Sequence, residues 1–436
     1  METPEKRTGH VLSKQPDDGS PVEPTLSGWQ KWLATIGSAI ERPVDDLKYA
    51  MKRMSGYDEP INVQLYRGYG TTRRVHVAGR VLEEEGQTVP SPGDSVWRNF
   101  VRMWKTFESD EVPGAVVRLS FAGQFAEVTA DEEGYIEHVF EAREAAPFPA
   151  GVGEIVADLR DPIGERDGRP QKTRFRGEAY LPRPDAQFIV VSDVDDTVLH
   201  TDATSLLRAA VNTLFNNAYG RVAFPGVAAF YRALSRGTLP SNKGAEAINP
   251  FFYLTSSMWN VYDVMRLFFE VNEVPSGPIL MRDLGLSPTK LLKGTHEEHK
   301  LKRAEELMAM YPGQRFVLIG DTGQHDAEIY HKIVMQLGDA APQRVAAVYL
   351  RDVSGDPRDA EVESIVEQIR ATGVPCVAAE TSADHAQHAA EAGLIHPAAL
   401  DEIDAEAKDD VAAEREGKPP RHEPASVTRM RSRAAP

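Results

Sequence analysis

The sequence has very little cysteine, and this limits the classes of protein to which it can belong. Cys376 is the one cysteine among 436 residues, which excludes an intramolecular disulfide and a zinc site built from cysteines. Its neighbours Val374, Pro375 and Val377 are not polar. We therefore interpret Cys376 as a small buried hydrophobic side chain rather than as a reactive thiol.

Long apolar runs and an excess of positive charge are also missing. No stretch reaches the roughly 18 consecutive apolar residues of a membrane span, and the first residues carry no apolar run of signal-peptide length. The net charge is −17, which argues against broad binding to nucleic acid or to anionic lipid surfaces. The sequence therefore predicts a cytoplasmic protein without a nucleic-acid partner, although a small cationic pocket stays compatible with this charge.

Composition divides the chain into five segments. We predict a disordered tail at 1–24, a helical arm at 25–57, a β-rich domain at 58–183, an α/β domain at 186–397 and a disordered charged tail at 398–436. The arm has apolar residues near helical spacing. It is either an amphipathic helix for a membrane or a partner or, as we favour, a helix packed on its own protein.

The β-rich segment shows short runs of alternating apolar residues, such as Ile61, Val63 and Leu65, separated by Gly/Pro turns. This pattern is typical of a small antiparallel sandwich. A predicted helix at 94–107 interrupts it. The segment contains no group of residues that suggests catalysis, so we expect a structural module or a docking module for an unknown partner.

From residue 186 onward, runs that are apolar throughout alternate with helical patterns. Strands are predicted at 188–192, 251–254, 278–281, 316–319, 345–349 and 374–377. Helices are predicted at 227–234, 261–271, 301–310 and 360–372. Fully apolar strands with helices between them indicate a parallel sheet covered on both faces. Ligands of such sheets bind at the carboxyl ends of the strands.

Polar residues follow the predicted strands at the places where a ligand is expected. They form the groups Asp193-Val194-Asp195-Asp196-Thr197, Thr255-Ser256-Ser257, His299-Lys300 and Gly320-Asp321-Thr322-Gly323-Gln324-His325-Asp326. Each group alone has a commoner explanation: an acidic turn, a helix cap, a surface lysine or a Gly-rich turn. All four groups, each at a strand end or helix start of one α/β segment, indicate a catalytic site.

Two carboxylates of the first group suit the hydrolysis of a phosphate monoester. Asp193 offers an oxygen nucleophile that needs no separate base. Asp195, two residues later, can protonate the leaving oxygen and then activate water. Thr255 and Lys300 offer a hydroxyl and a fixed cation to the phosphate oxygens.

The same site is expected to bind Mg²⁺, which prefers oxygen ligands and keeps several waters, so that few carboxylates suffice. We expect Asp193 and Asp321 to bind the ion directly, together with the backbone carbonyl of Asp195. Asp326 is expected to lie next to these ligands without binding the ion itself. The metal would bring the anionic phosphate beside the anionic nucleophile.

The order Asp-x-Asp-x-Thr, strand-end Thr, Lys and Gly-Asp-x-x-x-x-Asp resembles the haloacid dehalogenase superfamily. The surrounding residues, over about 186–352, resemble more closely the catalytic domain of the actin-patch type phosphatidate phosphatases. The resemblance implies an α/β fold with a haloacid dehalogenase-like Rossmannoid parallel sheet and a small cap, preceded by a β-sandwich-like domain. It implies the roles given above, with Thr197 and Ser256 beside Thr255 and Lys300 as phosphate-binding residues.

The activity that the resemblance implies is Mg²⁺-dependent conversion of phosphatidate to diacylglycerol, with a phospholipid met at a membrane surface by a peripheral protein. The chain has room only for a short helical cap at about 206–215, which favours a site open to a large substrate. That cap either contacts lipid or, as we favour, packs on the domain. A small-molecule or protein phosphatase of the same superfamily and a membrane or cytoskeletal adaptor remain the alternatives.

Overall fold

The computed structural model describes residues 60–83, 111–161, 165–166, 169–170, 172–194, 226–239, 247–259, 262–282, 296–323, 325–352 and 359–416. They all belong to one compact unit, Tyr57–Pro436. The predicted arm, the helix at 94–107, the cap at 206–215 and the terminal segments 1–24 and 417–436 lie outside the described residues.

The first part of the described chain is a branched sheet of eight strands. They are β1 (Ile61–Leu65), β2 (Gly68–Gly70), β3 (Arg74–Glu83), β4 (Val116–Phe121), β5 (Gln124–Thr129), β6 (Tyr135–Glu141), β7 (Gly151–Asp161) and β10 (Arg174–Leu181). Their order is β1-β3-β2-β10-β7-β4-β5, with β6 paired to β3. Every pair is antiparallel except β2 with β10. Between β7 and β10, the short strands β8 (Glu165–Arg166) and β9 (Arg169–Pro170) pair with each other.

Alternation of apolar and polar residues explains why one face of this sheet is buried. In β3, for example, Val75 and Val77 are buried, whereas His76 between them is only partly covered. Successive side chains of a strand point to opposite faces. The buried side chains form one hydrophobic core, in which Phe121 of β4 lies next to Phe140 of β6, with ring centroids 6.1 Å apart.

The second part contains a parallel sheet of six strands. They are β11 (Ile189–Asp193), β12 (Phe251–Met258), β13 (Ile279–Arg282), β14 (Phe316–Asp321), β15 (Val345–Arg351) and β16 (Cys376–Ala379). Their order is β13-β12-β11-β14-β15-β16, and all neighbours are parallel. The predicted mixed α/β fold with a parallel sheet is thus confirmed.

Helices cover both faces of this sheet. They are α1 (Val227–Arg236), α2 (Tyr262–Val271), α3 (His296–Met310), α4 (Asp326–Leu337), the short α5 (Ala341–Arg344), α6 (Asp359–Ala371), α7 (Ser382–Glu391) and α8 (Ala399–Glu416). One core cluster holds side chains of α1, α2, α7 and α8, and another holds side chains of α3, α4 and α6. Because each face is buried, the strands are apolar throughout, as the sequence predicted.

The prediction of a disordered tail from residue 398 is wrong for residues 399–416, which form α8. The acidic side chains of α8 have partners on α1. Asp410 Oδ2 accepts a hydrogen bond from Gly226 N at 2.9 Å, and Glu406 Oε1 accepts one from Ala229 N at 2.7 Å. Carboxylates stabilise the amino end of a helix because its first N–H groups lack partners within the helix.

Cys376 lies in β16 and is 2% exposed. Burial raises the pKa of its thiol to about 12. The interpretation of this residue as a buried hydrophobic group is confirmed. Within the part of the chain that the structure describes, no helix has the length and apolar character needed to cross a membrane.

Candidate active site

Three adjacent parallel strands bring the predicted residues to one edge of the sheet. β11 lies between β12 and β14. Asp193 is the last residue of β11 and is in register with Leu254, which precedes Thr255 on β12. Asp321 is the last residue of β14. Because parallel strands end on the same side, these three side chains belong to one edge.

A group of three carboxylates forms at this edge. Oxygen atoms of Asp193, Asp321 and Asp326 all lie within 4.8 Å of one another. Asp326 is the first residue of α4 and is 1% exposed, and its Oδ2 accepts a hydrogen bond from Asp321 N at 3.1 Å. Burial raises the pKa of Asp326 above its usual value, and the charge of Lys300 opposes this rise. The backbone hydrogen bond holds the Asp326 carboxylate beside Asp321.

One lysine inserts between two of these carboxylates. Lys300 Nζ, on α3, lies 2.6 Å from Asp193 Oδ1 and 3.2 Å from Asp326 Oδ1. The side chains of Lys300 and Asp193 are 6% and 5% exposed. Sequence patterns usually place such a lysine on the surface, and the structure buries it instead. Its charge is therefore little screened by water and acts directly on the carboxylates.

The donor set fits a divalent cation. When ionised, the three carboxylates carry three negative charges, and Lys300 lies within hydrogen-bonding distance of two of them. Hard cations such as Mg²⁺ are bound by carboxylate oxygens of this kind. A metal ion would also reduce the repulsion between Asp193, Asp321 and Asp326. The cluster itself does not identify the metal.

Gly320 gives Asp326 the space that it occupies, a role that sequence reasoning missed. A Cβ atom at Gly320 would lie 2.6 Å from both Cβ and Oδ2 of Asp326. Real Cβ atoms do not approach other atoms so closely, so one of the two residues would have to move. The Gly-Asp pair in the motif was the available signal, but we interpreted its glycine only as part of a turn.

A second missed pair supports the chain at Asp193. Ser192 Oγ donates a hydrogen bond to the Asp193 carbonyl at 2.9 Å and lies 2.7 Å from the Tyr231 hydroxyl on α1. Burial, together with the nearby charges of Asp193 and Asp326, raises the pKa of Tyr231 to about 12. Tyr231 therefore stays protonated and donates to Ser192. Ser192 and Tyr231 are 39 residues apart, and no sequence pattern relates them.

The structure describes some of the remaining predicted residues and not others. Thr255 lies on β12 at the same edge and is fully buried. Ser256 follows it on β12, and its side chain is outside what the structure describes. Asp195 and Thr197 lie outside the described residues. The acid/base and phosphate-binding roles given to these residues stay predictions.

Residues 188–352 match the family model described as phosphatidate phosphatase APP1, catalytic domain. The matched segment contains the three carboxylates of the cluster and also Thr255 and Lys300. The resemblance of this segment to the catalytic domain of the actin-patch type phosphatidate phosphatases, stated above from the sequence, is confirmed.

Two curated relatives were found. Phosphatidate phosphatase APP1 of Saccharomyces cerevisiae is 25% identical over 187 residues, which cover 41% of this chain and 30% of the yeast protein. An uncharacterized protein of Schizosaccharomyces pombe is 23% identical over 171 residues, covering 38% of this chain and 25% of the relative. The chain therefore matches less than a third of the length of either relative.

A solved structure of a carbohydrate acetylesterase from Xanthomonas citri is similar at 13% identity and a TM-score of 0.26. The match covers 82% of this chain and 75% of the esterase. A likeness of this degree carries no argument about fold or function.

Proposed function

We propose, from the match of residues 188–352 to the family model described as phosphatidate phosphatase APP1, catalytic domain, that the chain is a Mg²⁺-dependent phosphomonoester hydrolase with Asp193 as its covalent nucleophile. The observation that carries the proposal is the group of Asp193, Asp321 and Asp326 at the carboxyl edge of a parallel sheet, with Lys300 paired to Asp193 and Asp326. Such an edge is where ligands of open α/β sheets bind.

In the proposed reaction, an oxygen of Asp193 attacks the phosphorus atom, and the bond to the ester oxygen breaks. Asp195 protonates the departing alkoxide, so that an alcohol leaves and an aspartyl phosphate remains. Asp195 then takes a proton from water, which attacks phosphorus and regenerates the Asp193 carboxylate and inorganic phosphate. Lys300 and Thr255 hold phosphate oxygens during both steps.

Mg²⁺, bound by Asp193 and Asp321 and the Asp195 carbonyl, would supply positive charge to the transferring phosphoryl group. Lys300 contributes a second, permanent positive charge beside Asp193. Asp326 accepts from Lys300 Nζ and from the Asp321 backbone, which orients both groups towards the substrate. Tyr231 and Ser192 hold the backbone of Asp193 in a fixed position.

We assign the second part of the chain to the haloacid dehalogenase-like Rossmannoid folds. The central place of β11, which ends at Asp193, among six parallel strands supports this assignment. We describe the first part as sandwich-like, because Phe121 and Phe140 pack together from strands that are not hydrogen-bonded to each other.

The proposed substrate is phosphatidate, the substrate in the name of the yeast relative. The proposed place of action is the cytoplasmic surface of a membrane, to which the protein would bind peripherally. The charge of −17 makes a zwitterionic lipid surface more favourable than a strongly anionic one.

The test is a substrate panel with the full chain: phosphatidate in mixed micelles, sugar and nucleotide phosphates, and a phosphopeptide, each with Mg²⁺ and with EDTA. We expect Mg²⁺-dependent phosphate release from phosphatidate. Rapid release from soluble phosphates without release from phosphatidate would overturn the lipid assignment. No release from any compound would overturn the enzymatic function and favour an adaptor.

Two variants complete the test. Asp193→Asn should abolish phosphate release and the trapping of radiolabelled phosphoenzyme, because an amide is a poor nucleophile. Asp185→Asn is the matched control, since Asp185 precedes β11, is exposed and pairs with Arg183. It should retain full activity. Turnover of Asp193→Asn within tenfold of the wild type would contradict the assigned nucleophile.

A further inference from the structure

Thr255 lies at an irregular place in the parallel sheet. β12 pairs with β13 up to Leu254, opposite Leu280, and the pairing resumes at Met258, opposite Arg282, after a shift of register. Thr255 is in the interval between these pairs. The pairing of β12 with β13 is therefore irregular at this interval, and further contacts support its far end.

That support comes from the β-rich part of the chain. Trp259, the residue after β12, stacks on Tyr66, with ring centroids 4.1 Å apart and planes at 22°. Tyr66 lies between β1 and β2 and also packs on Tyr262 of α2, at a centroid distance of 4.7 Å. The Tyr66 side chain is 3% exposed and belongs to the same core cluster as the helices α1 and α2.

Hydrogen bonds on both sides of Tyr66 fix it against the start of α2. Arg67 N donates to the Tyr262 hydroxyl at 2.8 Å. The Gln64 side-chain amide donates to Asp263 Oδ2. Gln64, Tyr66 and Arg67 of the β-rich region thus hold the segment that follows β12, the strand that carries Thr255. Hydrogen bonds are directional and therefore fix the position of one segment relative to the other, whereas apolar packing alone tolerates small shifts.

On these contacts we propose that Tyr66 is a positioning residue, which holds Trp259 and thereby sets the position of Thr255 towards the phosphate. The proposal rests on the proposed function, because it takes Thr255 as a phosphate ligand. It gives the β-rich part a role in the reaction: that part completes the active site instead of only preceding it.

The hydroxyl of Tyr66 provides a conservative variant. It is buried, and the described residues offer it no hydrogen-bond partner. Tyr66→Phe therefore keeps the ring and removes only this hydroxyl. Tyr66→Leu removes the ring and the stack. If the ring positions Trp259, Tyr66→Leu must weaken phosphate binding and Tyr66→Phe must leave it unchanged.

The first readout is the binding of inorganic phosphate in the presence of Mg²⁺, measured by calorimetry, which does not depend on turnover. We expect Tyr66→Leu to raise the Kd for phosphate about tenfold, because the hydrogen bond from Thr255 to the phosphate is lost and about tenfold in Kd is what one such bond contributes. Tyr66→Phe should bind phosphate like the wild type. With an active substrate, KM should rise in Tyr66→Leu, while the pH profile of kcat stays unchanged.

Phe121→Leu is the control for a merely structural effect. Phe121 is buried in the core of the β-rich region, away from Trp259. The Phe121→Leu variant should have a lower free energy of unfolding and an unchanged Kd for phosphate. An unchanged Kd in Tyr66→Leu, or an equal rise in Phe121→Leu, would overturn the proposal.

If Tyr66→Leu does not fold, Trp259→Leu removes the same stack from the other side, and the same rise in Kd is expected. An unchanged Kd in that variant would overturn the proposal as well. A wild type that binds phosphate but releases none from any substrate would overturn the proposed function alone. A wild type that does not bind phosphate would overturn both.

Discussion

Lys300 Nζ lies 2.6 Å from Asp193 Oδ1, and both side chains are almost fully buried. The ion pair fixes the carboxylate that we propose as nucleophile and partly compensates its charge. It also links α3 to the carboxyl end of β11, so the catalytic geometry depends on the packing of a helix. Removing one member of a buried pair leaves the other charge without compensation, which costs more than the loss of an exposed pair.

The first prediction follows from this pair. Lys300→Met should lower the free energy of unfolding by about 3–5 kcal/mol at pH 7, because two buried carboxylates then lose their counter-charge. Urea denaturation measures the change. Lys302→Met is the matched control, since Lys302 is 74% exposed and lies 3.9 Å from Glu306. It should cost at most about 1 kcal/mol. Equal effects of the two variants would refute the structural role of the Lys300 charge.

The second prediction concerns the space at Gly320. Gly320→Ala should displace Asp326, because the added Cβ would lie 2.6 Å from its Cβ and Oδ2. We expect a Mg²⁺ affinity lowered by about tenfold or more, since residues that orient metal ligands have effects of this size. Calorimetric titration with Mg²⁺ measures it. Gly313→Ala adds the same methyl group where nothing lies within 4 Å, and it should leave the affinity unchanged. An unaltered affinity in Gly320→Ala would speak against the role of Asp326.

The third prediction concerns pH and His385 of α7. Burial lowers the pKa of His385 to about 4 from the usual 6.5, and its Nε2 lies 3.2 Å from the Leu350 carbonyl. Because the folded state holds this proton more weakly than the unfolded state, stability is full above pH 6.5 and is lost as the pH falls towards 4. The loss should reach about 3 kcal/mol.

Urea denaturation between pH 8 and pH 4 measures this loss. His385→Gln removes the titrating group and keeps a side-chain N–H donor. Its free energy of unfolding should therefore fall by about 3 kcal/mol less than that of the wild type over this pH range. His396 is the contrasting site for a second variant, His396→Gln, because it is only partly buried. That variant should keep the wild-type pH dependence. Identical pH profiles of the wild type and His385→Gln would disprove the prediction.

The fourth prediction concerns α8. Asp410→Ala should lower the free energy of unfolding by about 1–3 kcal/mol, because it leaves the buried N–H of Gly226 without its acceptor. Asp409→Ala should be neutral or slightly stabilising, since Asp409 is exposed and alanine favours helix. Thermal and urea unfolding measure both. A loss in Asp410→Ala no larger than in Asp409→Ala would show that α8 does not cap α1.

The sequence was most informative where short-range patterns carry the signal. Strands apolar throughout predicted the parallel sheet, and polar residues after them identified Asp193, Asp321 and Asp326 as neighbours. α4 was missed although Ile329 and Ile333 have helical spacing. This helix begins at Asp326, the last residue of the Gly-Asp motif, so its pattern starts within a segment that is typical of a turn.

Other features depend on contacts that no local pattern contains. The acidic residues of α8 look like a solvated tail until α1 is placed beside them, because Arg232 and the amino end of α1 are their partners. Tyr66 and Trp259 are likewise remote in sequence, and their stack exists only once both parts of the chain are folded. Tertiary packing overrides local composition at both places.

The hydrogen bond between Asp410 and Gly226 spans 184 residues of sequence. During synthesis, α1 leaves the ribosome long before the helix that supplies its acceptors. At about 5–20 residues per second, the interval lasts on the order of ten seconds or more. During this interval the apolar side of α1 lacks its cover, so the nascent chain is exposed to aggregation. The synthesis of α8 is therefore the step at which α1 acquires its protection.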